Sequence, residues 1–71
     1  MYNLEELNAG KTCTICWLLG EIGKQLKERM HFELDDKIDV VYNDGNSLII
    51  KHSNKKYALD SISAHAIKVS F

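Results

Sequence analysis

Two stretches of this chain carry residues whose types and spacing could do chemistry. Cys13-Thr14-Ile15-Cys16 has the C-x-x-C spacing. On a loop or at the start of a helix, that spacing serves thiol redox chemistry or half of a metal site. His31-Phe32-Glu33-Leu34-Asp35-Asp36 places an imidazole beside three carboxylates. Such nitrogen and oxygen donors suit divalent iron, manganese or zinc. His31, Glu33, Asp35 and Asp36 are therefore the candidate metal ligands, and a weakly held divalent transition metal is the one cofactor these residue types suggest.

Each feature also has a plainer reading. Residues i and i+3 of a strand point to opposite faces, so two cysteines spaced this way on a strand cannot share one small ion. No second C-x-x-C completes a zinc set. The strand reading makes Cys13 a small inward residue and Cys16 an outward one. Acidic residues in a loop are ordinarily solvated, which is the alternative for Glu33, Asp35 and Asp36. His52 is expected to face the core with Leu48 and Ile50 or to sit at its rim, as a partly buried, hydrogen-bonded side chain; His65 is expected to be exposed. No catalytic residue is predicted. The serines fall at turns and strand ends, with no recognisable Ser-His-Asp set, and the four glycines are scattered, so no phosphate-cradling loop is present.

The elements that must position these side chains follow from periodicity. Asn3-Leu4-Glu5-Glu6 has capping-box spacing and predicts one helical turn over Leu4 to Leu7. Lys11 to Leu18 alternates, with Cys13, Ile15 and Trp17 on one face. Gly20 and Gly23 loosen the chain before a helix from Glu21 to Met30, whose Ile22, Leu26 and Met30 form a stripe opposite Lys24, Lys27 and Glu28. Phe32 and Leu34 are assigned to the connection. Ile38, Val40 and Tyr42 share one side of the next strand. Asn43-Asp44-Gly45-Asn46 is a hairpin turn, Leu48 to His52 returns, and Ser53-Asn54 turns again before Tyr57 and Leu59. Asp60 to His65 forms one short turn capped by Asp60 or Ser61, and Ile67, Val69 and Phe71 close the sheet. The predicted core is Ile15, Trp17, Leu26, Ile38, Val40, Leu48, Ile50, Leu59, Ile67 and Val69. The expected fold is mainly β with one helical excursion, a small SH3-like five-stranded barrel.

Bulk properties bound the function. Seventy-one residues make one domain (1–71), with about 60% of the unfolded chain's surface buried and no room for a second lobe with a deep cleft. A net charge of −1 argues against nonspecific nucleic-acid binding, which needs a basic surface. Lys51, Lys55 and Lys56 read as a solvated hairpin edge. The N-terminus lacks the basic and apolar regions of a signal peptide. Ile15 to Leu19 is too short to cross a bilayer, which takes about 20 residues. A cytoplasmic protein, not inserted in the membrane, is expected, with both thiols reduced.

In joint order, these segments resemble the FeoA-type domain family of bacterial ferrous iron uptake, over nearly the whole chain. The resemblance is carried by Leu4, Leu7 and Gly10, then Ile15, then Met30-His31-Phe32 and Glu33-Leu34-Asp35, Ile38-Asp39-Val40, and Ala58, Leu59, Ala64, Ile67 and Val69. His31 stands where the family has a helix-ending Gly, Leu34-Asp35 where it has Pro-Gly, and Asn54 where it has a hairpin Gly. Leu26 lies four residues before Met30, where the family spaces its apolar pair by three. The resemblance implies a non-enzymatic accessory protein that carries no iron and binds a membrane ferrous iron transporter with a GTPase domain. Similar small barrels form the C-terminal domains of some metal-dependent repressors, which makes a metal-binding or metal-sensing domain the alternative.

Overall fold

A computed structural model describes residues 1–71. Its elements are β1 (Tyr2–Asn3), a 3₁₀ turn (Leu4–Glu6), β2 (Thr12–Leu18), α1 (Gly20–Met30), β3 (Lys37–Asn43), β4 (Ser47–His52), β5 (Lys55–Asp60), α2 (Ser61–His65) and β6 (Ile67–Ser70). All strands join one antiparallel sheet in the order β1-β6-β2-β3-β4-β5. This is a small SH3-like sheet whose two end strands do not pair with each other, so the barrel is not closed. It has six strands rather than five. The extra one is the two-residue β1, which pairs Tyr2 with Val69 and Asn3 with Lys68; so short a strand carries no periodicity to read. Asn3 also begins the predicted capping box, its amide donating to Glu6 Oε2 at 2.8 Å.

Leu48, Ile50 and His52 of β4 all point inward, as their phase predicts. Asp44 Oδ1 accepts from the amides of Asn46 and Ser47, both at 2.9 Å. Gly45 takes the positive φ that the turn needs, 91°. Ser53 and Asn54 make the second hairpin turn with φ of 50° and 67°. Asp60 caps α2, its Oδ1 accepting from the Ser63 amide at 2.7 Å, and these bonds to the ionised form hold its carboxyl below the usual range.

Nine of the ten predicted core residues are buried, and Trp17 is not: it is 54% exposed. A β-bulge explains it. Ile15 pairs with Val69, but Trp17 pairs with Lys68 and Leu18 with Ile67. Cys16 is thus an extra residue, and beyond it the alternation inverts, turning Trp17 outward and Leu18 toward the core. A second bulge does the same in β3. Val40 pairs with Ile50 but Tyr42 with Ile49, so Tyr42 is exposed instead of sharing the face of Ile38 and Val40. Its hydroxyl donates to Asp44 Oδ2 at 3.0 Å. Phe71 lies beyond the last strand, exposed and tilted against Tyr2 with ring centroids 5.1 Å apart.

The core also takes Leu4, Leu7, Cys13, Phe32 and Ala64. Phe32, assigned to the connection, is fully buried and heads this group in size. Gly23 does not loosen the chain. It lies inside α1, where a Cβ would sit 2.4 Å from the carbonyl carbon of Leu18. The absent side chain is what lets α1 lie this close to the end of β2.

Candidate functional site

The four candidate metal ligands lie on one loop but do not converge. Nowhere in the chain do three or more His, Cys, Asp or Glu side chains come together in a way that could hold an ion. His31 ends α1 in the left-handed conformation, φ 58° and ψ 32°, and its side chain is exposed, as are Glu33 and Asp35. Asp35 is also left-handed, φ 73°. Asp36 alone turns inward, and its carboxylate bonds to the protein itself. Oδ2 lies 2.7 Å from His52 Nε2 and accepts the Glu33 amide at 3.0 Å. The hydrogen bond from His52, reinforced by the Glu33 amide, outweighs partial desolvation and holds the Asp36 carboxyl below its ordinary range.

His52 is 6% exposed, as expected. An ionised carboxylate only accepts hydrogen bonds, so Nε2 donates its proton to Asp36. Its Nδ1 is buried without a partner. The ring packs edge-on to Phe32, centroids 4.7 Å apart, and Phe32 packs edge-on to Tyr57 at 5.5 Å. The pair therefore clamps the loop after α1 onto the tip of the β4–β5 hairpin. The same loop extends the sheet, since the Ile15 amide donates to the Asp36 carbonyl and the Asp35 amide to the Ile15 carbonyl, both at 2.8 Å. Asp36 is thus a structural carboxylate. Sequence reasoning placed His52 inward but did not link it to Asp36, because nothing in a sequence pairs residues sixteen apart on separate elements.

The cysteines occupy different environments. Cys13 is buried, and burial, helped by the negative charges of Asp39 and Cys16, pushes its thiol up to about 11. At neutral pH it is an inert thiol. Cys16, half-buried at the bulge, points its sulfur at the Thr14 carbonyl, 3.8 Å away.

A second region concentrates exposed apolar side chains. Between α1 and α2 an open hollow of about 340 Å³ is lined by Glu5, Leu19, Ile22, Ser61, Ile62, His65 and Ala66. Leu19, Ile22 and Ile62 are 47%, 37% and 67% exposed. The Glu5 carboxylate contacts His65 Nδ1 at its rim. His65 is exposed, as expected, and its carbonyl accepts from Lys68 Nζ at 2.9 Å. Periodicity put Ile22 on the core stripe with Leu26. It sits instead at the edge of that stripe, where α2 leaves it uncovered. An array of apolar side chains framed by charge, with no cluster of reactive groups, is suited to binding another macromolecule.

No protein-family model matches the chain, and no curated protein sequence matches it significantly. Its fold does match solved structures. An iron uptake regulatory protein (FeoA) superposes with a TM-score of 0.82 at 20% identity, over 96% of this chain and 92% of the other. The iron(II) transport protein A from Clostridium thermocellum gives 0.82 at 26% identity, over 96% of this chain and 44% of that one. A manganese-dependent transcriptional repressor gives 0.83 at 18% identity, over 96% of this chain and 39% of the repressor. At three positions where the resemblance puts glycine, this chain has His31, Asp35 and Asn54, and all three keep the positive φ that glycine would supply, 58°, 73° and 67°. The backbone path is kept even where the glycines are gone: the chain is an FeoA-type domain in fold.

Proposed function

We propose that this protein is a small accessory module of bacterial ferrous iron uptake, working on the cytoplasmic side by binding the membrane iron transporter and its GTPase domain. The observation that supports it is the full-length structural likeness to FeoA proteins, one of which is an iron uptake regulator. The distribution of side chains agrees with a binding role. One group of exposed apolar residues, Leu19, Ile22 and Ile62, gathers around the hollow between α1 and α2, while Asp36, the one inward-turned member of the candidate metal set, bonds to His52. In this reading the protein carries no iron and is not an enzyme; it acts by contact.

The test is a native pull-down and calorimetric titration of the purified chain against the transporter's cytosolic domain, with and without guanine nucleotide. Saturable binding lost in an Ile22→Glu variant supports the proposal. Absence of binding in every nucleotide state rejects it.

A second reading, a metal-binding or metal-sensing domain, is favoured by the likeness to the manganese-dependent repressor. Titrating ferrous, manganous and zinc ions while following amide NMR shifts separates the two. Localised saturable shifts over residues 31–36 would favour it.

A further inference from the structure

The groove between α1 and α2 is longer than the hollow at its N-terminal end. A second hollow, of about 140 Å³, continues along α1 and is lined by Ile22, Gln25, Leu26, Arg29, Met30 and Ser63. Ile22 lines both. At 1.5 Å rise per residue, Arg29 stands about 10 Å further along the helix than Ile22. The groove thus has an apolar floor, the Glu5 carboxylate in one hollow and the Arg29 guanidinium in the other. Only Oε1 of Glu5 is engaged, by His65, and Arg29 has no ion-pair partner in the chain. Ile62 stands out from α2 beside the first hollow as the most exposed aliphatic side chain outside the N-terminus.

We propose that this groove is a two-fold self-association surface. A second copy of the chain packs its own α1–α2 groove antiparallel against the first, with Ile62 of each copy in the hollow of the other and Glu5 of each facing Arg29 of the other. Three features select a second copy as the occupant. First, a two-fold axis reverses the direction of the groove, so its acidic end meets a basic end twice; a surface polarised this way is complementary to itself. Second, the walls are helices whose backbone groups are already bonded internally, so the occupant cannot be an added strand and must contribute side chains from a preformed element, as a copy of α2 does. Third, a net charge of −1 leaves little general repulsion between copies. A specific contact requires about 500 Å² from each partner. One face of a body 25 × 23 × 21 Å across supplies about that area. The proposal does not rest on the transport reading: a second copy and a transporter would compete for this groove, and sedimentation of the chain alone tests self-association without the transporter present.

Sedimentation equilibrium and light scattering on the purified chain, from roughly 10 μM to 1 mM, test it. The expected result is a monomer–dimer equilibrium. Ile62→Glu abolishes the dimer with an unchanged melting temperature, because Ile62 is two-thirds exposed. Glu5→Arg or Arg29→Glu alone weakens association about tenfold by placing like charges opposite each other, and the double swap restores it. A chain that stays monomeric at every concentration overturns the proposal and leaves the groove to a heterologous partner. A dimer indifferent to Ile62→Glu and to the charge swap also overturns it, because the contact then lies elsewhere.

Discussion

Replacing Gly23 by Ala sets two physical effects against each other, and the structure decides the sign. Inside a helix, Ala is favoured over Gly by roughly 0.8–1.0 kcal/mol, so sequence alone predicts that the substitution stabilises. In the fold, the new Cβ would lie 2.4 Å from the Leu18 carbonyl carbon, 2.9 Å from its oxygen and 3.1 Å from its Cα. These are backbone atoms, fixed by the pairing of Leu18 with Ile67, and no rotamer change can clear them. Reaching ordinary contact at 3.4 Å requires α1 to move off β2 by about 1 Å, which loosens Leu26 against the core. Overpacking of this kind costs about 1–3 kcal/mol, and the rigidity of the obstacle puts it in the upper half of that range. Net of the helix gain, Gly23→Ala should destabilise by about 1–2 kcal/mol. For a domain of this size that lowers the melting temperature by roughly 4–16 °C. Circular dichroism melts and urea titration measure it, with exposed Lys24→Ala as the control for helix propensity in the neighbouring position. An unchanged or raised melting temperature for Gly23→Ala would refute the close approach of α1 to β2.

Four further outcomes are expected. His31→Gly and Asp35→Gly, at φ of 58° and 73°, should each stabilise modestly, by about 0.5–1 kcal/mol in urea titration, because the left-handed strain removed exceeds the added chain entropy. Ile50→Ala, fully buried, should cost about 2–5 kcal/mol, while Trp17→Ala should cost under about 1 kcal/mol; equal losses in thermal melts would contradict the bulge at Cys16. The folded Asp36 carboxyl titrates below its ordinary value of 3.8, so its contribution is complete above that value and is lost as pH falls through the lower folded one; the stability gap between the native chain and Asp36→Asn should narrow on acidification below about pH 4 in pH-dependent urea titrations. A maleimide should label Cys16 quickly and Cys13 only on unfolding, with no disulfide between them in the folded protein; simultaneous labelling of both, read by mass spectrometry, would mean that β2 is not regular at Cys13.

What the sequence determined by itself was local: alternation in β2, β3 and β4, the 3.6-residue stripe of α1, the Asp-Gly and Ser-Asn turns, and the caps at Asn3 and Asp60. Those signals depend on neighbours a few residues apart, and they were enough to place nine of ten core residues and the inward turn of His52. Tertiary structure decided what depends on partners far along the chain. The bulges at Cys16 and Val41 come from pairing with β6 and β4, and they turned Trp17 and Tyr42 outward against a period that read them inward. Phe32, in a segment with no periodicity, became core because the loop after α1 folds over the β4–β5 tip. The same fold converted Asp36 from a candidate ligand into the partner of His52. It also left Ile22, Leu19 and Ile62 uncovered together around the open hollow between α1 and α2, and it set α1 against the end of β2 through Gly23 and Leu18, a contact of backbones that side-chain patterns do not encode.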